Sequence, residues 1–365
     1  MRHVRYPLLV AVVAVVSVLG GLAPGAATAS PAAKGPSAAP HAHEVAGQLN
    51  ALSCASRSAC YAINLVDNNS RWGIVRITHK GASSHTTKLK KTLSPVDLNC
   101  PSSAGCALLT QVSPSAHYAV APVSSHGVVG KPVTLGAPVG VQLTAIACHP
   151  TRSHCTAIGA YGQEITVITV IGSTPVEHDL TLPASLLGAE VKALACPTTA
   201  ACFAAGAVSK KGKERGFVLP IHNGVPGSPV YIPSASYEGM YAIACTSATS
   251  CVALGASQFR VFVYALSSAK VTRSTKLPTY DGLGSIACQS AHLCDAVGSK
   301  NTGRSSPKGA VLPIHSGKPG TLQTTSATQD FSAGGGDGHG AVAGYHGGIE
   351  IIGFGTNNHT LVCSS

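Results

Sequence analysis

The chain has 365 residues, of which 45% are hydrophobic, 5% aromatic and 11% charged, with 13 cysteines and a formal charge of +11. The basic residues are scattered and aromatic side chains are few, which argues against nucleic-acid binding. The length fits two ordinary domains or one closed array of repeats.

Residues 1–29 carry Arg2 and Arg5, an apolar run from Leu8 to Leu22, then Ala27-Thr28-Ala29. That is the charge, core and small-residue order of a secretory signal peptide. No other run approaches the roughly 18 apolar residues a membrane span needs. There is no twin arginine, and the first cysteine, Cys54, lies too far on for lipid attachment. The expectation is a freely secreted, extracellular protein without a transmembrane anchor. Residues 30–43, built of Ser, Pro, Ala, Gly and His, have little to bury and read as a flexible leader. Without the signal, 23 basic and 14 acidic residues leave a charge of +9, which suits anionic cell-wall polymers or glycans, or is simply tolerated.

From residue 49 onward one phrase recurs at intervals of 43 to 49 residues: an apolar stretch ending in Cys, about five residues, a second Cys, then often Ala-x-Gly. The pairs are Cys54/Cys60, Cys100/Cys106, Cys148/Cys155, Cys196/Cys202, Cys245/Cys251 and Cys288/Cys294. A seventh copy at Ala333 to Gly344 keeps the spacing with Gly334 and Gly340 in place of the cysteines. Repeats of this period rich in short strands signal a propeller. The expected fold is all-β: a seven-bladed β-propeller over residues 44–365, with repeats starting near 49, 95, 143, 191, 240, 283 and 329, and one intra-blade disulfide in each of six blades. In an exported chain such cysteines argue for disulfides rather than metal or redox chemistry. Cys363 is left over, on the expected fourth strand of the last copy. It reads as a buried thiol, with intermolecular pairing as the alternative.

The fourth copy shows four strands: Val191 to Cys196, Cys202 to Val208, Gly216 to His222 and Val230 to Pro233. Its third strand, Phe217-Val218-Leu219-Pro220-Ile221-His222, is almost repeated by Ala310 to His315. A proline inside a strand lacks a ladder donor, so its nitrogen must face a bulge or a place where no partner waits. Asn223-Gly224 and Ser316-Gly317 follow, dipeptides that supply the positive φ of tight hairpins. The two cysteines flank the first hairpin, where α-carbons across a non-hydrogen-bonded position lie about 4.5 to 5.5 Å apart. Closing so short a loop contributes on the order of 2 kcal/mol per bridge.

The repeated phrase resembles that of secreted actinobacterial repeat proteins of unassigned function, whose usual form is close to ISCPSxxxCxAVG. Cys196-Pro197-Thr198 and Cys100-Pro101-Ser102 come nearest to it. The resemblance covers residues 49 to 365, implies a sialidase-like or related propeller, and implies no catalytic residues. The sialidase Asp-box is missing; Asp67-Asn68-Asn69-Ser70-Arg71-Trp72 approximates half of it once, between the wrong strands.

Cys148-His149-Pro150-Thr151-Arg152-Ser153-His154-Cys155 holds two thiols and two imidazoles, a zinc-like set. Because five other copies have the Cys pair without histidines, it reads as a disulfide-closed loop with surface histidines, and no metal or cofactor is expected. Gly334 to Gly340 mimics a phosphate loop, but no helix follows it, and register makes it the degenerate seventh hairpin.

The more informative signal is where acids fall. Asp97, Glu190, Glu238, Asp281 and Asp330 lie within seven residues ahead of a repeat's first Cys position, or of Gly334. Two of these segments add Tyr237 and Tyr280, the aromatic-plus-carboxylate pairing of sugar sites. In propellers these connections share a face with the loops between second and third strands, which here are basic: Lys210, Lys211, Lys213, Arg215, Arg260, Lys300, Arg304 and Lys308. The candidate ligand-binding residues are therefore Tyr237, Glu238, Tyr280, Asp281, Glu190 and Asp330, with no catalytic residue assigned. The expected function is a monomeric, non-enzymatic binding or interaction propeller, its partner a glycan, a cell-envelope polymer or a protein. One alternative is a glycoside hydrolase or polysaccharide lyase, with Glu238 and Asp281 as the carboxylate pair. The other is a structural envelope or spore-surface protein.

Overall fold

The computed structural model describes residues 41–46, 48–56, 59–66, 71–78, 81–103, 105–149, 154–183, 187–210, 213–232, 238–257, 260–277, 282–290, 292–300, 308–324, 341–345, 348–354 and 359–364. Every regular element among them is a β-strand. The third repeat is representative. Gln142–Cys148, His154–Tyr161, Glu164–Ile171 and Thr174–Thr181 pair antiparallel in chain order, joined by short turns. Its third strand, Glu-Ile-Thr-Val-Ile-Thr-Val-Ile, is rich in β-branched residues that suit a pleated surface. The outer strand alternates in burial, as a strand with one wet face must.

The first strands of the six cysteine-bearing repeats, Gln48–Ser56, Leu93–Ser102, Gln142–Cys148, Leu187–Ala195, Glu238–Ser247 and Gly282–Ser290, are innermost and line an axial channel. The core sits between neighbouring repeats rather than within one. Ile158, Ile165 and Val167 of the third repeat, for example, pack against Val191, Phe217 and Leu219 of the fourth. Each face is buried only by the next unit, which is why the array is one domain.

Two expectations about the sheets are corrected. The repeat count predicts seven separate blades, but hydrogen bonding among the described residues forms six sheets. Arg215, in the strand Lys213–His222, makes a parallel bridge to Glu238 at the head of the fifth repeat, which merges the fourth and fifth repeats into one nine-stranded sheet. The second correction concerns the last sheet. Ala341–Tyr345, Gly348–Phe354 and His359–Ser364 are completed by His41–Ala46, antiparallel to His359–Ser364. Cys363 thus lies on the third strand of its sheet, in register with Ile351 and Ala42, and the fourth strand comes from residues read as the end of the leader and the start of the array. Ala341–Tyr345 touches the inner strands of both the sixth and the first repeats, so this sheet closes the ring. The glycine hairpin 334–340 lies outside the described residues.

All six expected disulfides are present: Cys54–Cys60, Cys100–Cys106, Cys148–Cys155, Cys196–Cys202, Cys245–Cys251 and Cys288–Cys294. Their geometry corrects the expected spacing. The Cα–Cα separations of 3.8 to 4.0 Å fall short of it, although Cys54 and Cys60, Cys148 and Cys155, Cys245 and Cys251, and Cys288 and Cys294 do stand opposite one another next to the hairpin turn as expected. The two ends of each bridge also have different surroundings. The first cysteines line the axial cavity, whereas Cys60, Cys106, Cys155, Cys202, Cys251 and Cys294 are not among its lining and are buried. Cys106, Cys251 and Cys294 each join a core cluster between neighbouring repeats. These six second cysteines are therefore parts of the core and face no ligand site.

The prolines meet the predicted condition. Pro220 lies between the two short pieces that make its outer neighbour, Val225–Pro226 and Val230–Tyr231. Its carbonyl accepts from Gly227 on that side, so its nitrogen also points at the gap. Pro122 and Pro313 repeat this with Gly130 and Gly320. Asn223-Gly224 and Ser316-Gly317 have the expected positive φ at both positions.

The Ala-x-Gly glycine has a reason that its spacing does not disclose. From the second repeat to the sixth, each inner strand carries a β-bulge four residues before its first cysteine, at Val96, Thr144, Lys192, Tyr241 and Gly284. The register partner beside the bulge is Gly159, Gly206, Gly255 or Gly298 in the last four of these repeats. A Cβ on Gly159, Gly206 or Gly298 would fall inside the radius of the carbonyl oxygen of Gln142, Glu190 or Gly282. The bulge pushes that carbonyl inward, and in these three repeats glycine leaves the room it needs. In the second repeat Thr110 stands here instead, and its hydroxyl donates to the corresponding carbonyl, that of Ser94, at 3.0 Å. We therefore expect Gly206→Ala to lower stability by about 2 to 3 kcal/mol through overpacking against backbone. Thr110→Val, which keeps the shape and loses one buried bond, should cost about 1 kcal/mol. Urea unfolding of the two variants measures the difference.

Candidate binding faces

In an antiparallel meander the turns alternate between two ends. The six disulfide hairpins therefore share one rim of the ring, and the second-to-third hairpins and the connections between repeats share the other. The Arg215–Glu238 bridge fixes this at one point, joining the basic hairpin of the fourth repeat to the connection that leads into the fifth.

Few of the sequence-based candidates fall among the described residues. Tyr237, Tyr280, Asp281 and Asp330 lie outside the described residues, and Glu238 is described for its backbone alone, paired with Ser257 and Arg215. Glu190 is exposed and forms an ion pair with Lys192 at 2.6 Å. Both groups are open to water, where such a pair contributes little. Arg215 turns to the ring of Tyr231, 4.9 Å from its centroid. Burial raises the Tyr231 hydroxyl above its usual range, and the guanidinium offsets part of that. Tyr231 escapes a reading of the sequence, since no spacing links it to the basic hairpin. Gly239 lets the Glu214 carboxylate lie across the strand start, 2.5 Å from where a Cβ would be.

Asp97 is the acid that reaches the axis. It lies within the inner strand Leu93–Ser102 rather than in a loop, and lines an axial cavity of about 440 Å³. One carboxylate oxygen accepts from its neighbour Leu98 N–H and the other from Ile146 N–H of the next repeat, each at 2.8 Å. Asn99 Oδ1 accepts from Cys148 N–H at 2.9 Å, and Ser53 Oγ from Cys100 N–H at 2.8 Å. These three are the polar side chains of the cavity wall, contributed by the first two repeats. The later ones place Ala147, Ala195, Ala244 and Ala287 at the position of Ser53 and Asn99. The polar groups stitch one repeat to the next.

The disulfide between Cys148 and Cys155 uses both thiols of the zinc-like octet. Among the described residues no group of three or more His, Cys, Asp or Glu is placed to hold a metal ion. A second concavity, of about 460 Å³, opens on the connection rim between the second and third repeats.

Burial raises two carboxyls to about 6: Asp97, against the opposing pull of its two backbone N–H bonds, and Asp295, against Gln289 and His315. Both folded values exceed the unfolded one of about 4. The folded state therefore binds protons more tightly, and stability falls as pH rises from about 4 through 6. Asp97→Asn/Asp295→Asn should flatten this pH dependence of the thermal midpoint between about pH 4.5 and 7 relative to the wild type.

No protein-family model matches the chain, and no curated protein matches it. Solved structures do. The β-propeller domain of Cps50 (Swd1) from Myceliophteria thermophila aligns with a TM-score of 0.55 at 10% identity, over 88% of this chain and 99% of that one. A puromycin-hydrolyzing peptidase of Mycobacterium tuberculosis aligns with a TM-score of 0.53 at 10% identity, over 84% of this chain and 50% of that one. A subtype N10 neuraminidase-like protein reaches a TM-score of 0.43 at 9% identity, covering 73% of this chain and 93% of that one, too distant to support the sialidase-like form of the resemblance. Among the described residues no helix is long and apolar enough to cross a membrane, and the six disulfides are consistent with an oxidising, extracellular setting. The chain is a β-propeller by fold, and at these identities the likeness extends to fold alone.

Proposed function

We propose that this protein is a secreted, non-enzymatic binding propeller that holds an extracellular glycan or cell-envelope polymer on its connection rim. The observation that carries the reading is the Arg215–Glu238 bridge, where a basic hairpin meets the head of an acid-bearing connection. Around it stand Lys213, exposed Arg215 over Tyr231, and Glu214. Such a mixed rim of cations, carboxylates and aromatic rings suits hydroxyl-rich polymers and polymers with anionic groups. The signal-like first 29 residues and the disulfides support secretion. The repeat phrase, like that of secreted actinobacterial proteins, agrees with it. Binding without turnover is favoured by the engagement of Asp97, both of whose oxygens are held by backbone N–H groups.

The test is an array of glycans and cell-wall polymers probed with the purified protein and with Glu238→Gln/Asp281→Asn. Saturable binding by the wild type without release of product supports the reading. Release of shortened product that the double substitution abolishes overturns it in favour of a hydrolase or lyase, and failure to bind any polymer overturns it in favour of a structural role.

A further inference from the structure

The concavity between the second and third repeats has an unusual wall for so basic a protein. Its lining runs from Gln111 and Ser115 through His117 and Tyr118 of one hairpin to Val139 and Gln142 of the following connection. No carboxylate, amine or guanidinium is among the lining residues. The wall is built rather than incidental. The Tyr118 hydroxyl accepts from the backbone N–H of Leu143, and Leu135 N–H donates to the Tyr118 carbonyl at 2.8 Å, which pins the ring between the repeats. Gln111 Nε2 donates to the Ala116 carbonyl at 3.3 Å, which fixes the amide plane and leaves its oxygen as an acceptor. Val141 N–H closes a turn onto the Pro138 carbonyl, with Gly140 at a φ of 95°.

Val139, in that lining, is fully exposed, and Tyr161, at the tip of the next hairpin and just outside the lining, is 61% exposed. Three atoms of the Tyr161 ring would lie 3.3 to 3.4 Å from a Cβ on Gly140, so the glycine lets the ring rest against the turn. Beside the groove this leaves an aromatic ring with most of its surface open to water.

We propose that this groove is a binding site for a neutral saccharide, a site in the second and third repeats additional to the rim around Arg215 and Glu238, which rests on the reading of the protein as a glycan-binding propeller. Pyranose rings present C–H groups on one face, which pack on a tyrosine ring, and hydroxyls at their edges, which both donate and accept. The Gln111 and Gln142 amides and the His117 imidazole match those edges, because each side chain offers donor and acceptor capacity. A volume of about 460 Å³ is within the range of small-ligand pockets. With no lysine or arginine in its lining, the groove favours neutral sugars over uronates and phosphates, whose charge would leave water without a paired cation.

The experiment is isothermal titration of the purified protein with maltohexaose, cellohexaose and chitohexaose, and with oligogalacturonate as the anionic comparator. Wild-type protein should bind at least one neutral hexasaccharide saturably and oligogalacturonate more weakly. Tyr161→Ala and Val139→Asp, both at exposed positions, should keep the wild-type unfolding midpoint and weaken binding by about tenfold or more. Val225→Asp, a change at an exposed valine of the fourth repeat, should leave affinity unchanged. Neutral-saccharide binding that survives both groove variants but is lost in Glu238→Gln/Asp281→Asn overturns the groove and leaves the binding reading intact. Stronger binding of oligogalacturonate than of every neutral probe, or capture of peptides in place of saccharides, also overturns the groove. Absence of binding to every polymer overturns both.

Discussion

From the second repeat to the sixth, one backbone carbonyl pressed toward the strand beside it organises the inner part of this ring. The bulge four residues before the first cysteine inserts a residue into the innermost strand, adding local twist and throwing that residue toward the next repeat. Thr144 uses the position to donate to the Val191 carbonyl of the fourth repeat at 2.8 Å, while Val96 packs into the cluster shared by the second and third. Tyr241 fills the space against the sixth, where burial raises its hydroxyl far above the ordinary range and keeps it neutral. The same bulge demands glycine, or a threonine able to hydrogen-bond, on the second strand. Inter-repeat packing and the Ala-x-Gly phrase are therefore two results of one distortion.

Further out, neighbours are joined by a different device. The turn glycines Gly224 and Gly317 lie so close to Thr169 and Ala265 of the preceding repeat that a Cβ would collide with either side chain. Asn-Gly and Ser-Gly supply the turn, and the bare Cα also lets that turn sit down on the adjacent strand. The requirement for positive φ and the requirement for close approach fall on the same residue, so a substitution there violates both.

What could be read from the residues was what local chemistry decides. Cysteine spacing marked the six crosslinks, Asn223-Gly224 marked its turn, and Pro220 announced a gap outside its strand. The sheet count was not legible, because the single bridge from Arg215 to Glu238 depends on how two repeats are splayed, and neither residue type signals it. Nor was the pairing of His41–Ala46 with His359–Ser364, partners far apart in the chain and without a shared motif. For the site, Asp97 was read as part of a connecting segment but lies inside a strand, where one oxygen holds Leu98 N–H and the other Ile146 N–H of the next repeat. Tyr118 and Tyr161 stand in different repeats and come near one groove only through the turn at Gly140, so no linear pattern marks them as neighbours.

The closing sheet gives the ring a seam unlike its other joints. Each of the six cysteine-bearing repeats is crosslinked over six or seven positions and can acquire its covalent bond as soon as it emerges into an oxidising space. The sheet that pairs His41–Ala46 with His359–Ser364 has to wait until its most distant segments meet, and a backbone ladder joins them as its fourth and third strands. Synthesis from one end to the other thus yields a string of locally locked hairpins that remains an open arc until its last strand emerges. Loosening that seam would open the ring while leaving the six disulfide hairpins locked.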